Sequence, residues 1–360
     1  MTTTRVPAPL ATPADGMQVA YRGRTADAPS DDREEGLMPP ARPRVPSGPP
    51  HVYQHDLALY ESPEQLVAVA APFLRAGLAA GEAAVIAIED SCARSLLDAI
   101  GGEDGVVVVE RNGVYGTRTP AAITAFRKLA QERVQAGHPR VRVVGDTDFG
   151  PTAREWLEWQ RYEAVINRAL HPQPLWGLCV YDVRRLPDQV VEAGLHTHPH
   201  LVGEQGRRPN PDYVEPADYL RSLPVPVEPL EATEPLLQVD DVSDFIGLRH
   251  AVGERLTGLG GDPDRVEDLH LAIDEMSSNA VRHGGPPVQL RLWASADRVV
   301  CRISDRGPGM DDPFAGYGPA HGTDLSRGGM GLWLARQLCD NVDVIDAGEG
   351  LTVRLSTALH

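Results

Sequence analysis

The sequence predicts two layered modules in succession: an α/β unit on a mainly parallel sheet at 51–202, then a smaller α+β sandwich at 238–360. Three observations predict this. In the first stretch, continuous apolar runs of strand length alternate with helical patterns of ten or more residues, the rhythm of strands joined by helical crossovers. In the second, the order is two helices, a hairpin, a Gly-rich loop, a helix and a final hairpin. Two Pro-rich stretches bracket the first module: residues 1–50, with no apolar run and expected to be a disordered tail, and 203–237, expected to be a semi-rigid linker.

Taken in order, a helical pattern covers Pro63 to Leu78, and Ala83-Ala-Val-Ile-Ala-Ile88 is a buried-type strand. Gly105–Val109 and Val141–Val144 read as further strands, and Ala121–Ala136 and Glu155–Leu170 carry apolar residues at helical spacing. Leu175–Tyr181 closes the module as another buried strand. In the second module, Ser243 is a candidate cap for a helix running to about Leu259, followed by a helix over Arg265–His283. Strands Val288–Ala294 and Arg298–Ser304 alternate around a short Ser-Ala-Asp turn, a helix opens at Gly331, and Val342–Ile345 pairs with Leu351–Ser356.

With 51 acidic against 34 basic residues, a net charge of −17, the chain has no basic stripe for a phosphate backbone and none for an anionic membrane surface. Neither direct nucleic-acid binding nor membrane binding is expected. No run approaches the length of a membrane span, and the N-terminus has no signal-like apolar core, so a cytoplasmic location is expected. Cys92, Cys179, Cys301 and Cys339 stand singly, mostly in apolar surroundings, and read as reduced thiols.

Four elements of the second module carry chemistry. Ile273-Asp-Glu-Met-Ser-Ser-Asn-Ala-Val-Arg-His-Gly284 sets Glu275 and Asn279 four residues apart, on one helix face. An amide oxygen there can hold Mg²⁺, and a carboxylate can take a proton from an attacking hydroxyl. Asp305-Arg-Gly307-Pro-Gly309 follows a buried strand, and its carboxylate can accept the exocyclic amine of adenine while the glycines let backbone approach the base. Arg327-Gly328-Gly329-Met330-Gly331-Leu332 leads into a helix N-terminus, where free N–H groups favour phosphate. Between these, Asp311 to Ser326 has the polar, Gly- and Pro-rich character of a lid.

The order and spacing of these elements resemble the GHKL ATPase superfamily across the whole second module. The N box carries Glu275 and Asn279, the G1 box Asp305, Gly307 and Gly309, and the G2 box Gly329 and Gly331. The resemblance implies a Bergerat-type ATP site: Asn279 on Mg²⁺, Asp305 on adenine, Gly329 and Gly331 at the phosphates, and Glu275 as the base. Histidine kinases need a His-bearing helical hairpin just before this module, but residues 203–240 are Pro-rich and contain no His. The Asp274-Glu275-x-x-x-Asn279 form looks like the anti-sigma-factor serine/threonine kinases. That resemblance implies an anti-sigma antagonist protein or a sigma factor as partner, and a homodimer.

In the first module, Phe73–Glu82 before the strand Ala83–Ile88 resembles the entry to RecA-like domains. Where a phosphate loop would follow, the chain reads Glu89-Asp-Ser-Cys-Ala-Arg94, without Gly or Lys, so a RecA-like framework without a P-loop is expected. His55, Leu59-Tyr60, Phe73, Gly77, Gly81-Glu82, Glu155-Trp156, Arg161-Tyr162-Glu163, Asn167, Leu178-Cys179, Tyr181-Asp182 and His198-Pro199 together resemble the methanogen/methylotroph sensory (MEDS) domain. This implies signal input and a small-molecule ligand. His196-Thr-His198-Pro-His200 reads either as metal ligands alternating on an extended strand or, more plainly, as a His-Pro turn. Trp156, Trp159, Tyr162 and Trp176 read as a ligand pocket or, more plainly, as core.

The expected function is thus an ATP- and Mg²⁺-dependent serine/threonine kinase of the anti-sigma type under a sensory module. The alternatives are an ATP-gated binding module without phosphotransfer and an atypical sensor histidine kinase.

Overall fold

The computed structural model describes residues 52–102, 105–115, 118–318, 330–346, 348 and 350–360. The expected tail at 1–50, and the lid residues from 319 to 326, lie outside the described residues.

The N-terminal part is a seven-stranded sheet, formed by β1 (Gln54–Tyr60), β2 (Ala83–Ala87), β3 (Val106–Val108), β4 (Val141–Gly145), β5 (Leu175–Asp182), β6 (His200–Gly203) and β7 (Gly206–Pro209). Their spatial order is β3-β2-β4-β5-β1-β6-β7, with every pair parallel except the last. A sheet covered on both faces demands continuous apolar strands, and β2 is buried at all five positions. On one face lie α1 (Pro63–Ala79) and α2 (Asp90–Ile100), whose Leu66, Leu74 and Leu96 pack with Ile86 and Leu178. On the other lie α4 (Thr119–Gln135) and α5 (Ala153–Ala169), with Ile123, Phe126, Trp159 and Tyr162 packed against Val85, Val143 and Cys179. A short α3 (Arg111–Tyr115) precedes α4. Thr152 and Glu155 close a reciprocal capping box at the start of α5, fixing where that helix leaves the sheet.

Strand β1, the α2 helix and the β6–β7 hairpin extend the elements expected from sequence. The stretch expected to be a linker is in part structured. After α6 (Asp188–Thr197), β7 pairs with β6, and Arg207 forms an ion pair with the fully buried Asp56 at 2.7 Å. The following α7 (Pro216–Ser222) buries Tyr219 against Ala164 and Ala193. Proline density there marks turns between packed pieces. Long-range contacts fixed them, which composition does not encode.

The C-terminal part is an antiparallel sheet of order β11-β12-β10-β9-β8: β8 (Leu237–Val239), β9 (Gln289–Ala294), β10 (Arg298–Ser304), β11 (Asn341–Asp346) and β12 (Leu351–Ala358). Helices α8 (Phe245–Leu259), α9 (Pro263–His283) and α10 (Gly331–Leu338) supply the apolar layer over it. Leu256, Leu269, Ala272, Ile273 and Met276 meet Leu290, Leu292, Cys301 and Leu355 in one core. Helix α8 is capped by Asp244, whose carboxylate accepts from the Gly247 N–H, one residue beyond the expected Ser243. A carboxylate and a hydroxyl compete for this role, and the one in register with the third helical N–H wins.

Candidate functional site

Helix α9 positions the first pair of groups. Asp262 caps it through the N–H groups of Asp264 and Arg265, and Pro263 pre-sets its first turn. Leu269, Ala272, Ile273, Met276 and Ala280 face the sheet and fix the helix's rotation. Asp274 is drawn away to an ion pair with Arg249 of α8. Glu275 and Asn279 stay half-buried, one turn apart, beside the first residue of α10.

That contact is unusually close. A Cβ on Gly331 would stand 2.5 Å from Asn279 Nδ2, 3.1 Å from Met276 Cε and 3.2 Å from Glu275 Oε2. Only glycine lets the N-terminus of α10, with its free N–H groups, approach both polar side chains. The same missing Cβ forms part of a cradle of oxygen donors and amide groups, a donor set that suits a hard cation and phosphate.

Asp305 is fixed just past the end of β10. Its N–H donates to Leu351 O at 2.9 Å, and its Oδ1 accepts the Gly307 N–H at 2.7 Å, tying the carboxylate down in a tight turn. A Cβ on Gly307 would come within 2.7 Å of Gly284 Cα, so this glycine permits close packing of the turn on the end of α9. Gly309 adopts φ +81°, a region side chains avoid.

These pieces surround a cavity of about 700 Å³. Asn279, Asp305, Gly309 and Gly331 line it together with apolar Met276, Ala280, Ile303, Leu332 and Val353. An apolar slot with a few convergent polar groups is the usual form of a small-molecule site, and the volume accommodates a nucleotide. Among the sequence-derived residues, Glu275 stands beside Gly331 without lining the cavity, and Gly307 packs the turn onto Gly284. Met330 is the N-cap residue of α10, while Gly328 and Gly329 lie outside the described residues.

The N-terminal part closes one side of this cavity. Arg127 of α4 and Val165, Arg168 and Ala169 of α5 all line it. The segment after Gly309 bridges the two parts. Phe314 packs beneath the Arg168 guanidinium, 4.5 Å from ring centroid to Cζ, and Tyr317 is buried within the N-terminal aromatic core. Close by, Arg154 of α5 grips both carboxylate oxygens of Asp343 on β11 at 2.9 and 3.0 Å, and Arg161 and Arg354 converge on the same group. Burial pushes the Asp343 carboxyl up, but the three guanidiniums together hold it below the ordinary aspartate value. Sequence reading missed this wall, because Arg127 and Arg168 sit on amphipathic helices with no local sign of what they face.

Two readings of the first module are corrected. His196, His198 and His200 do not converge: His196 tilts against Tyr219, His200 faces Arg207 and Asp56, and only His198 is fully buried. Their stretch spans a helix end and a strand start, so the alternation of an extended strand does not apply. The four aromatics likewise line no common pocket. Trp159 and Tyr162 pack edge to face at 5.2 Å in the core, Trp156 donates to Gly150 O, and Trp176 lies on the opposite sheet face under Arg142.

Two family models match separate stretches of the chain. Residues 54–199 match the MEDS model, described as the methanogen/methylotroph, DcmR sensory domain, and residues 240–357 match the histidine kinase-like ATPase domain. "Serine-protein kinase RsbW" of Bacillus licheniformis is 36% identical over 130 residues, 32% of this chain and 80% of that protein. The protein of the same name from Bacillus subtilis is 29% identical over 156 residues, 40% of this chain and 88% of that one. "Anti-sigma F factor" of Oceanobacillus iheyensis is 28% identical over 119 residues, covering 31% and 82% respectively. A solved structure of RsbU and RsbW domains from Mycobacterium tuberculosis aligns at 21% identity over 35% of this chain and 33% of that one, with a TM-score of 0.26. Among the described residues no helix is long and apolar enough to cross a membrane. With the site on α9, β10 and α10 and these relatives covered over most of their length, the chain belongs to the RsbW-like family of histidine kinase-like ATPase domains, here joined to a MEDS domain.

Proposed function

We propose that this chain is an ATP-dependent serine/threonine protein kinase of the anti-sigma type, with residues 238–360 as the kinase and 51–202 as its sensory input. One observation carries the reading: Glu275 and Asn279, a helical turn apart, meet the α10 N-terminus at Gly331 beside a cavity that also holds Asp305. Asp305 accepts the adenine amine, and Met276, Ile303 and Val353 provide the apolar slot for the base. The N-terminal N–H groups of α10 bind phosphate oxygens. Mg²⁺ held by Asn279 supplies charge neutralisation for the phosphates. Glu275 accepts the proton of a serine or threonine hydroxyl as its oxygen bonds to the γ-phosphorus. The bond from that phosphorus to the β–γ bridging oxygen breaks, and ADP leaves. The names of the relatives support an anti-sigma antagonist or a sigma factor as the protein partner.

The input reading rests on the shared wall. Arg127, Arg168 and the Phe314–Tyr317 segment link the N-terminal core to the nucleotide cavity, so a change in that core reaches the lid directly. We read the parallel sheet as a RecA-like framework whose phosphate loop is replaced by the short Ile88–Glu89 entry into α2.

A second reading, an ATP-gated binding module without transfer, is favoured by Glu275 standing beside Gly331 and not among the residues that line the cavity. Incubation with Mg²⁺, γ-labelled ATP and candidate antagonist proteins separates the two. Acid-stable label on a partner serine or threonine is expected. Nucleotide-dependent partner capture with no label on a partner whose acceptor serine is intact would select the binding module, and acid-labile label on the chain itself would select a histidine kinase.

A further inference from the structure

Inside the N-terminal part, four metal-type donors meet. His55 comes from β1, Glu163 from α5, Cys179 from β5 and His198 from the end of α6. All four are buried, and one ligand atom from each lies within 4.8 Å of the other three. His55 Nε2 stands 3.3 Å from Cys179 Sγ and 3.2 Å from Glu163 Oε2, while His198 Nε2 stands 3.7 Å from the same oxygen. Tetrahedral coordination with ordinary metal–ligand lengths places nitrogen and oxygen ligands roughly 3.3 Å apart, and nitrogen and sulfur roughly 3.6 Å apart.

The surroundings fix which atoms face inward. The Asn167 amide donates to the carbonyls of Glu163 and Thr197, which turns its Oδ1 toward His55 Nδ1 at 3.2 Å. His55 Nδ1–H therefore donates to Asn167, and its Nε2 presents a lone pair to the cluster. His198 Nδ1–H donates to Gly194 O at 2.8 Å, so its Nε2 also presents a lone pair. The Thr147 hydroxyl donates to Glu163 Oε1, which leaves Oε2 to the centre. Both His198 Nε2 and Glu163 Oε2 are buried without a hydrogen-bond partner among the described residues. Two imidazole lone pairs and a carboxylate oxygen thus converge, with the Cys179 thiol within hydrogen-bond reach of His55 Nε2. Buried acceptors left in this way are costly, and a shared cation satisfies them together. Outward hydrogen bonds from the far ring nitrogen are also what orient metal-binding histidines.

We propose that His55, Glu163, Cys179 and His198 bind one divalent transition-metal ion of the zinc type. Two neutral imidazoles, one carboxylate and one thiolate balance a 2+ charge, so the loaded site is neutral in a dry core. Loading forms the metal–sulfur bond and releases the Cys179 proton to solvent, together with any proton held by Glu163. A cavity of about 20 Å³, lined by Tyr53, Tyr115 and Tyr162, touches both Glu163 and Cys179. It is large enough for one water-sized molecule as a further ligand.

The test uses the full chain, stripped with a chelator and dialysed separately against Zn²⁺ and Co²⁺. One equivalent of zinc per folded chain is expected, with a thiolate-to-cobalt charge-transfer band in the cobalt form. Cys179→Ser should lose that band, His198→Gln should lower zinc affinity at least tenfold, and Asn167→Ala should weaken it by about 10–100-fold through loss of orientation. His196→Ala and His200→Ala should leave binding unchanged. Folded wild-type chain that takes up neither metal overturns the proposal. So does binding whose spectrum and affinity are indifferent to Cys179→Ser and His198→Gln. If a variant fails to fold, the cobalt spectrum of the wild-type chain still decides, because a sulfur band requires one of four cysteines and Cys92→Ala, Cys301→Ala and Cys339→Ala controls exclude the other three.

Discussion

The nucleotide cavity and the buried four-donor cluster are built in opposite ways. The cavity is open, about 700 Å³, and short motifs bring Asn279, Asp305, Gly309 and Gly331 to it, with Arg127 and Arg168 added from the N-terminal part. The cluster is closed, and its donors come from four segments spread between His55 and His198. The open site leaves Glu275 and Asn279 half-exposed at the meeting of two helices, where substrates can enter. The closed one sits between α5 and the central strands of a parallel sheet, with all four donors buried. Chemistry that must meet a changing partner is placed on turns and helix ends, and chemistry that needs a fixed environment is placed in the core. Arg127 and Arg168 bring the N-terminal part to the cavity wall, and Tyr317 enters the core that also holds Cys179.

The largest expected effect separates the machinery of the open site from its binding surface. Glu275→Gln should reduce phosphoryl transfer by about 10²–10⁴-fold and change ATP affinity by less than about threefold, in single-turnover assays alongside calorimetry. A matched loss of both would show that Glu275 is part of the cradle rather than the base. Asp305→Asn comes next. Loss of a charged hydrogen-bond acceptor, worth about 1.5–3 kcal/mol, should weaken ATP by about 10–150-fold and erase the preference over GTP. An unchanged ATP-to-GTP ratio would remove Asp305 from the base-reading role.

The joint between the regions gives smaller effects. Arg154→Ala leaves Asp343 with Arg161 and Arg354, so the loss should be about 1–3 kcal/mol in denaturant unfolding, below that of a fully orphaned buried charge. Because the folded pKa of Asp343 lies below its unfolded value, its contribution is present above the unfolded value and is lost as pH falls through the folded one. The variant should therefore lose part of its advantage at neutral pH and show a flatter acid limb than the wild type. Arg168→Ala removes an exposed pair with Asp312 and the guanidinium stacked on Phe314, and should cost about 0.5–2 kcal/mol of stability. Its value is as a probe of coupling: a shift in nucleotide affinity of the folded variant would show that the N-terminal wall reaches the nucleotide.

How much was legible in the residues differs between the two regions for a physical reason. Glu275 and Asn279 share a face because four residues make a helical turn, and Gly331 and Gly309 announce close approach and positive φ locally. His55, Glu163, Cys179 and His198 were each visible within the stretches that resemble the sensory family, yet nothing local showed that they meet. The His196–His200 run offered an apparent metal spacing, but a helix end falls within it and turns its three rings apart.

By itself the sequence determined the alternation of strands and helices, the antiparallel C-terminal sandwich and the identity of the groups on α9, β10 and α10. These follow from periodicity, capping and glycine stereochemistry, all of which act within about one turn of helix or one hairpin. Tertiary structure decided that β1 inserts beside β5, that α7 and β7 pack where a linker was expected, and that α5 faces the nucleotide cavity. It also decided that two histidines, a glutamate and a cysteine from distant strands and helices share one dry centre. Such convergence depends on strand order and helix rotation, which are set by the packing of the whole core and by no local pattern.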